Sequence, residues 1–373
     1  MTLANVPLCR PSLPEGADRA VAECLSSGWV GYGPRCNALE ERFTVSRGGF
    51  GLATSSCTSA LYLAALLCKQ GPLDEVIVPA MTFASTAMAF AHAGFRVVLA
   101  DVNRNNLMLS LEDTLRHISP QTRAVVVVHL FGQRFDTRDL RQECDKRGLV
   151  LIEDCAHRLD ILDGEGPLGD IACYSFNAVK EAPCGEGGML WVRRQGDGNR
   201  ARALSNVGMH VDTMQRSMTV QHGNYEFGGE GGLKLRSNDI AATLALASLD
   251  ALCETRQSRK AIFEEYDRVI ESASTAAIID RAPDDSFLMY TLRVAAENRS
   301  VLRSFFAQHG VATSVHYPSL SRHPLFGCRC PEAERADIRL VTLPSFPGLT
   351  AFERTQVCKT LAAGLAVLDE HPI

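Results

Sequence analysis

Short apolar runs, rich in β-branched residues, recur through the first half of the chain between longer polar segments. Six of these runs predict strands, at 75–79, 96–102, 124–131, 149–153, 171–176 and 188–193. The segments between four of them have the composition of helices, at 58–70, 83–94, 108–118 and 136–148. This alternation predicts an α/β fold with a largely parallel sheet covered by helices on both faces.

The connections that follow residues 153 and 176 differ from the others because they are glycine-rich and short. A parallel crossover needs a dozen or more residues, usually including a helix. We therefore expect the last strands to pair antiparallel or to lie across the sheet.

The pattern changes after about residue 237. A long helical stretch at 239–270 precedes a predicted strand at 286–294, a helix at 300–309 and a strand at 312–317. A final helix at 351–368 carries an apolar stripe formed by Val357, Leu361, Leu365 and Leu368. We interpret this part as a smaller α+β unit and divide the chain into a large domain at 1–240 and a small C-terminal domain at 241–373.

Composition and charge exclude several classes of function. The 373 residues include 38 Lys and Arg against 43 Asp and Glu, and the basic residues are not clustered, so nucleic acid is not expected as a partner. The apolar stretches are strand-sized and the N-terminus lacks a secretory pattern, which predicts a cytoplasmic protein that does not span a membrane. The 13 cysteines contain no C-x-x-C pair, so we expect reduced, packed thiols and no metal site.

The segment at 152–190 contains the most informative polar residues. Asp154 ends one predicted strand, and Lys180 follows another in a loop that leads to the glycine-rich run at 185–188. Ligands of α/β proteins bind at strand ends, where a lysine can attack a carbonyl and a carboxylate can hold a positive ring nitrogen. These residues alone are also compatible with a solvated lysine and a helix-capping aspartate.

A second candidate lies at 55–59, where the loop S-S-C-T-S leads directly into a predicted helix. The backbone N–H groups and the dipole of such a helix favour an anion at its N-terminus. An ordinary Ser/Thr cap explains the same residues equally well.

Three motifs follow one another in this part of the chain: E-D-C-A-H at 153–157, S-F-N-A-V-K at 175–180 and C-G-E-G-G at 184–188. They resemble motifs of the DegT/DnrJ/StrS family of pyridoxal-phosphate (PLP) sugar aminotransferases. Similar blocks follow one another along the chain, at 10–16, 26–34, 55–61, 74–83, 128–133, 233–242, 314–320 and 342–350. The resemblance implies an aspartate-aminotransferase-like fold with a mostly parallel sheet of the seven-stranded type.

The resemblance also implies roles for individual residues around the cofactor. Lys180 would bind PLP covalently as a Schiff base, and Asp154 would pair with the pyridine nitrogen so that the ring can accept electrons. His157 would lie beside the phenolic oxygen of the cofactor, and Phe83 would stack on its ring. These four residues form the predicted centre of the site.

Further residues would hold the cofactor phosphate. Thr58 and the backbone of Cys57 would bind it, with the Ser175 hydroxyl as a third contact. Cys57 stands where relatives usually have glycine, which is tolerable only at negative φ. Lys234, in the run G-L-K-L-R where relatives have asparagine, would reach the cofactor phosphate of the other subunit in a homodimer; a solvated lysine is the alternative.

Departures from the family pattern fall near the expected substrate pocket. Asn177, Val207 and Ser321 stand where relatives usually have histidine. The predicted substrate contacts are Asn177 together with Trp29, Tyr32, His316 and Tyr317, of which the last four keep a polar and aromatic lining suited to a polyhydroxylated ketone.

These features predict a PLP-dependent aminotransferase that alternates with the pyridoxamine phosphate form and follows ping-pong kinetics. It would move an amino group from L-glutamate or L-glutamine to a nucleotide-linked keto-sugar. The product would be an amino sugar for an antibiotic or a cell-surface glycan. A cyclitol ketone or another unactivated ketone is the alternative substrate. Weaker alternatives are a dehydratase of the same family, a nicotinamide oxidoreductase, and a non-catalytic PLP- or sugar-binding regulator.

Overall fold

The chain folds around a seven-stranded sheet and a separate three-stranded sheet. The computed structural model describes residues 5–160, 166–210, 227–282 and 284–370. The strands are β1 Phe50–Thr54, β2 Glu75–Pro79, β3 Arg96–Ala100, β4 Thr122–Val128, β5 Val150–Cys155, β6 Ile171–Ser175, β7 Gly188–Val192, β8 Ala276–Ile278, β9 Tyr290–Val294 and β10 Leu340–Leu343. The helices, numbered as described, are α1 Ala17–Ser26, α2 Pro34–Thr44, α3 Cys57–Cys68, α4 Ser85–His92, α5 Leu111–His117, α6 Arg138–Arg147, α7 Gln195–Leu204, α8 Asp239–Asp250, α9 Leu252–Ile270, α10 Ala296–Gln308, α11 Pro331–Asp337 and α12 Ala351–Glu370.

The large sheet has the strand order β1-β7-β6-β5-β4-β2-β3. Strands β3, β2, β4, β5 and β6 are mutually parallel, whereas β7 is antiparallel to both β6 and β1. The central strands are buried along their length, as their continuous apolar runs require when helices cover both faces. All six strands predicted from the apolar runs are present, and the prediction of a mostly parallel α/β sheet is confirmed.

The prediction for the last strands of this sheet was wrong in part. β6 pairs parallel to β5, because the 15 residues between the two strands are long enough for a crossover. The described residues of that crossover form turns and bends instead of a helix. Antiparallel pairing holds for β7 alone. β1 escaped prediction because its residues, F-G-L-A-T, include a glycine and only two large apolar side chains.

The small sheet has the order β10-β9-β8, all antiparallel. Its core contains the predicted stripe of α12, whose four residues are all buried: Val357, Leu361, Leu365 and Leu368. The strand predicted at 312–317 is wrong: Ser314 makes an isolated bridge to Thr342, and the remaining residues are an extended loop. The helix predicted at 239–270 is two helices, because Ala251 has non-helical dihedral angles, φ −89° and ψ 3°.

Two of the hydrophobic clusters, one beside β6 and β7 and one around the small sheet, bear on the domain boundary proposed at 240/241. That boundary remains a prediction. Helix α8 packs its alanines with the core beside β6 and β7, whereas α9 packs against the small sheet from Ile262 onwards. Val6, near the start of the chain, also lies in the small-sheet core. These contacts favour a changeover between domains within α9 and assign the first described residues to the C-terminal unit.

All 13 cysteines are free thiols, nine of them buried, which agrees with their predicted packing role. Among the helices of the described residues, none has both the length and the apolar character needed to cross a membrane.

Candidate active site

A cavity of about 450 Å³ opens at the carboxyl ends of the parallel strands. Ten of the thirteen predicted site residues line it: Cys57, Thr58, Phe83, Asp154, His157, Ser175, Asn177, Lys180, His316 and Tyr317. They come from four segments at the ends of strands of the large sheet, β1, β2, β5 and β6, and from the loop at 314–320. The position agrees with the rule that ligands of α/β sheets bind outside the strand ends.

The other three predicted residues line a different cavity, of about 410 Å³. Trp29 donates through Nε1 to the Tyr32 carbonyl at 3.1 Å, and Lys234 lies exposed beside Arg236. The Arg236 guanidinium lies 4.8 Å from the centre of the Tyr32 ring. Within one chain, these residues therefore do not join the cavity that contains Lys180.

Asp154, at the end of β5, is an acidic group buried without a cationic partner. Thr86 donates to Oδ2 at 2.8 Å and the Ala156 N–H to Oδ1 at 3.0 Å. Burial raises the pKa of Asp154, and these two donors oppose the rise. No cation among the described residues lies within ion-pair distance, so the carboxylate is placed to bind a positive group from a ligand.

Thr82 completes this arrangement. Its hydroxyl and that of Thr86 are 2.8 Å apart, and since the Thr86 proton is donated to Asp154, Thr82 donates to Thr86. This relay orients the carboxylate from the start of α4. The sequence interpretation missed both threonines; their position one helical turn apart after β2 was the available signal.

Lys180 lies in the turn after β6. Its ammonium group makes no ion pair and no hydrogen bond with any described residue. Burial lowers its pKa to about 8, although the Asp154 carboxylate opposes that change. Its backbone is held by an N–H bond to the Asn177 carbonyl at 2.9 Å and by a guanidinium bond from Arg259 to its carbonyl at 3.4 Å. A lysine that loses its proton this readily is a nucleophile and a base near neutral pH.

His157 has a fixed tautomer. Its Nδ1 accepts the Phe131 N–H at 3.2 Å, so Nε2 carries the proton and donates to the Tyr317 hydroxyl at 3.0 Å. Burial, with the charges of Lys180 and His316, lowers its pKa well below the ordinary value. The ring is therefore neutral and lies in one wall of the cavity.

Aromatic and polar groups form the other wall. Phe83 is 58% exposed and its ring centre lies 5.8 Å from that of Tyr317, so its face is open to a ligand. His316 shares a hydrogen bond of 2.9 Å with the Thr342 hydroxyl on β10, and burial lowers its pKa to about 4. The loop mistaken for a strand thus carries both His316 and Tyr317 into the site.

The loop at 55–59 forms the N-terminus of α3 at the edge of the cavity. Ser56 caps the helix by accepting the Ser59 N–H at 3.1 Å, and Thr58 is exposed. A Cβ on Gly188 would lie 2.5 Å from the Cys57 nitrogen, so only glycine lets β7 pass this close beneath the loop. Cys57 is the first residue of the helix and is not among the residues of positive φ, which meets the condition set for replacing glycine there.

Polar contacts at the end of β6 limit the freedom of Asn177. Its Nδ2 donates to Glu186 at 2.7 Å, and its N–H donates to the Ser175 hydroxyl at 3.3 Å. Glu186 therefore brings a carboxylate into the lining of the cavity. The sequence interpretation did not assign this residue, although it lies within the C-G-E-G-G motif.

The two other departures from the family pattern lie outside the cavity lining. Val207 is 42% exposed at a positive φ of 53°, and the Ser321 hydroxyl donates to Glu334 at 2.9 Å. Arg322, the cation that follows Ser321 in the chain, is paired with Asp337 at 2.6 Å.

One group of four potential metal ligands occurs among the residues that the structure describes. His129, Glu153, Cys155 and Asp160 are buried, with ligand atoms within 4.8 Å of one another. The His129 Nδ1 accepts the Phe135 N–H at 3.1 Å, so Nε2 is protonated and donates to Glu153 at 2.9 Å. Because a metal needs the lone pair at Nε2, we interpret the group as a buried hydrogen-bond cluster.

Comparison with known proteins identifies this architecture. Residues 11–362 match the DegT/DnrJ/EryC1/StrS aminotransferase family. A dTDP-4-dehydro-2,3,6-trideoxy-D-glucose 4-aminotransferase of Saccharopolyspora spinosa is 32% identical over 366 residues, which cover 95% of this chain and 94% of that protein. The solved structure of the aminotransferase TlmJ from Streptoalloteichus hindustanus has a TM-score of 0.89 and 31% identity, over 98% of this chain and all of the other.

A further solved structure bears on the cofactor. The sugar aminotransferase Spr1654 of Streptococcus pneumoniae, in its pyridoxamine phosphate form, has a TM-score of 0.89 and 25% identity, over 98% of this chain and all of the other. The same protein is also known in its PLP form.

The chain belongs to the DegT/DnrJ/EryC1/StrS aminotransferase family and is a PLP-dependent aminotransferase. The residues present fit the cofactor. Asp154 is a buried carboxylate that lacks a cation, Lys180 has an unpaired amine of lowered pKa, and Gly188 leaves room for the loop that begins α3.

Proposed function

We propose that this enzyme transfers an amino group from L-glutamate or L-glutamine to a keto-sugar that carries a nucleotide, for the biosynthesis of an amino sugar. The observation that carries the proposal is the unpaired Lys180 amine of lowered pKa, in one cavity with the cation-free carboxylate of Asp154. The relative from Saccharopolyspora spinosa acts on a dTDP-linked dehydro sugar, which supports the nucleotide-linked class.

The cofactor would be held at both ends. The first backbone N–H groups of α3 and the exposed Thr58 hydroxyl lie at the cavity and would bind the phosphate. The Ser175 hydroxyl, in the same lining, would add a third contact. Asp154 would keep the ring nitrogen protonated. Phe83 would cover one face of the ring, and His157, a neutral hydrogen-bonding group, would lie at its edge.

Proton transfer is the work that this proposal assigns to Lys180. When bound, PLP supplies an electrophilic carbon and a ring that accepts electrons. The Lys180 Nζ, neutral above its pKa of about 8, would remove the proton from Cα of the amino donor and deliver it to the cofactor. The same group would act in the reverse sense when the ketone is aminated.

A second candidate substrate, a cyclitol ketone or another unactivated ketone, is favoured by one specific contact. Glu186 lies in the cavity lining, bonded to Asn177 where relatives have histidine. A carboxylate at this position repels a diphosphate, and an asparagine offers it no charge-assisted hydrogen bond. This contact makes the substrate class the point that most needs a direct test.

The active unit in this proposal is a homodimer. Trp29, Tyr32 and Lys234 line a cavity apart from Lys180 in their own chain, so a role at the active site requires a second subunit. The exposed ammonium of Lys234 and the neighbouring Arg236 provide positive charge suited to a phosphate.

Two measurements test the proposal. Borohydride treatment of the yellow holoenzyme should fix the cofactor to the peptide containing Lys180, and Lys180→Ala should lose transamination by several orders of magnitude while the exposed Lys260→Ala keeps it. The pyridoxamine form is then mixed with a nucleotide keto-sugar or with an inosose, and recovery of the PLP absorbance is followed. Recovery with the inosose alone would overturn the nucleotide-linked substrate, and full activity of Lys180→Ala would overturn the site.

A further inference from the structure

A cavity of about 570 Å³ lies on the small-sheet side of the molecule, apart from the active site and from the cavity beside Lys234. We call it the second cavity. Its lining comes from β8, from the end of β9 with the first turn of α10, from α11, and from the loop after β3. None of its lining residues belongs to the cavity that contains Lys180. A volume of this size accommodates a small organic molecule.

Arginines dominate the charge of this second cavity. Four line it, Arg104, Arg293, Arg335 and Arg339, against two glutamates. Arg335 is paired with Glu332, but no ion pair is made by the other three within the described residues. The second cavity therefore concentrates positive charge, because four arginines outnumber the two glutamates of its lining.

The arginines are held close to one another. Arg293 donates to the backbone carbonyls of Arg104 and of Asn105, the latter at 3.0 Å. Burial lowers the pKa of Arg293; the charges of Arg104 and Arg339 add to this change, whereas those of Asp280 and Glu332 oppose it. Such a gathering of like charges costs free energy, and an anion between them would remove that cost.

Unpartnered polar atoms point to a ligand with donors as well as negative charge. Asn298 is only 7% exposed and its buried Oδ1 has no hydrogen-bond partner; the same holds for the buried Thr275 Oγ1 and Arg339 Nε. Because a buried acceptor or donor without a partner costs free energy, these atoms are suited to bonds with a ligand. Asn298 lies in the first turn of α10, whose N-terminus has no side-chain cap and favours an anion.

The frame of the second cavity is rigid enough to be a preformed site. The Asp101 carboxylate accepts the N–H groups of Glu332 and Ala333, both at 2.9 Å, and so fixes α11 to the loop after β3. The Val294 N–H donates to the Arg339 carbonyl at 3.0 Å and joins the end of β9 to the residue that precedes β10. The arginines thus project from segments that are tied together by backbone bonds.

We propose that this second cavity is a binding site for an organic phosphate that carries hydroxyl groups, such as a sugar phosphate or a nucleotide. Arg104, Arg293 and Arg339 bind the phosphate, because a guanidinium matches phosphate oxygens with two parallel hydrogen bonds. Asn298 Oδ1 and Thr275 Oγ1 accept hydrogen bonds from the hydroxyl groups. This site is independent of the substrate proposed above.

Calorimetric titration of the holoenzyme tests the proposal, because the cofactor then occupies the phosphate-binding loop of the active site. The probes are inorganic phosphate, glucose 6-phosphate and dTDP, which separate a free anion, a sugar phosphate and a nucleotide. We expect at least one organic probe to bind about tenfold more tightly than inorganic phosphate, which has no carbon-bound hydroxyl group to donate to Asn298 and Thr275.

Two variants and a control locate the binding. Arg104→Ala changes an exposed side chain and Arg339→Gln keeps a polar group; each should weaken the organic probe by about tenfold or more. Arg329→Ala, whose side chain is 88% exposed outside the cavity, removes the same charge and should have no effect. Transamination without the probe should be unchanged in Arg104→Ala.

Three results would overturn the proposal: no binding by either organic probe, equal affinity for inorganic phosphate, or binding that survives both cavity variants. The last result would place the ligand at the active site. A failure of the substrate proposal leaves this titration unaffected, so the two can be told apart.

Discussion

The Tyr317 hydroxyl is the acceptor for the single proton that His157 can donate into the active-site cavity. The bond measures 3.0 Å, and its direction is fixed because the other ring nitrogen of His157 accepts the Phe131 N–H. The two residues are 160 positions apart and belong to the large sheet and to the loop that returns from the small unit. Their bond therefore joins the two parts of the molecule inside the site.

Removing the hydroxyl should leave a buried donor without a partner. Tyr317→Phe should lower the free energy of unfolding by about 1–3 kcal/mol and reduce turnover by about tenfold, because the His157 ring loses its orientation. Urea unfolding and steady-state kinetics measure the two effects. Tyr62→Phe, at a half-buried tyrosine of α3, is the matched control. Equal stability of the two variants would contradict the assignment.

Lys180 should give cofactor uptake a distinct pH dependence. Burial lowers the pKa of its ammonium to about 8, and the neutral amine is the reactive form. The rate at which cofactor-free protein takes up PLP should therefore rise with pH through a midpoint near pH 8 and then level off. Stopped-flow absorbance measures this rate. A midpoint near 10.5, the ordinary value of a lysine, would show that Lys180 is not held as described.

Asp154→Asn should remove the charge that we propose keeps the cofactor ring protonated. We expect several orders of magnitude to be lost in turnover, by analogy with other changes that remove one charge from an active site. Protein folding should persist, because the asparagine Oδ1 can still accept the Ala156 N–H, and its Nδ2 can donate to the Thr86 hydroxyl, which is then free to donate to Thr82. The exposed Asp136→Asn serves as control. A loss below about tenfold would move the ring partner elsewhere.

If Lys234 acts across the dimer, mixing a Lys234 variant with a Lys180 variant should restore part of the activity that each has lost. Lys234→Ala alone should be impaired, and Lys180→Ala inactive. Mixing and refolding the two yields hybrids in which one site contains both lysines, so about a quarter of the activity should return, given random pairing of subunits in a symmetric dimer. Activity after mixing that stays at the sum of the separate variants would place Lys234 outside the neighbouring site.

Cys57 should resist alkylation in spite of its place at a helix N-terminus. Its thiol is buried 3.9 Å from the Asp154 carboxylate, and both burial and that negative charge raise its pKa well above the ordinary value. With iodoacetamide, the exposed Cys253 should be labelled first, and Cys253→Ser should remove this rapid reaction. Mass spectrometry of the peptides follows both residues. Labelling of Cys57 at the rate of Cys253 would contradict the buried geometry.

The sequence was most informative where a residue type is tied to a position at the end of a strand. Asp154 and Lys180 could be placed together because each follows an apolar run, and both lie in one cavity. Apolar patterning failed at β1, whose F-G-L-A-T lacks a continuous run, and at 312–317, where a strand-like pattern belongs to an extended loop. Neither the pairing partner of β1 nor the course of that loop is encoded locally.

Other features depend on contacts that no local pattern reveals. The Thr82–Thr86 relay to Asp154 and the bond between Asn177 and Glu186 arise only when distant loops meet. The same is true of the arginine-lined second cavity, whose members come from the large and small units. Single residues of these groups look like ordinary surface or capping residues in the sequence.

The position of β1 at the edge of the large sheet also bears on the order in which the protein can be built. Among the described strands it pairs with β7 alone, so Thr54 meets Gly188 long after Thr54 has been synthesised. At about 5–20 residues per second, the 133 residues between them keep β1 without its strand partner for about 7–27 s during translation. The loop that begins α3 lies directly beyond β1 and packs on Gly188, so a nascent chain completes the loop proposed to bind the phosphate only after the last strand of the large sheet emerges.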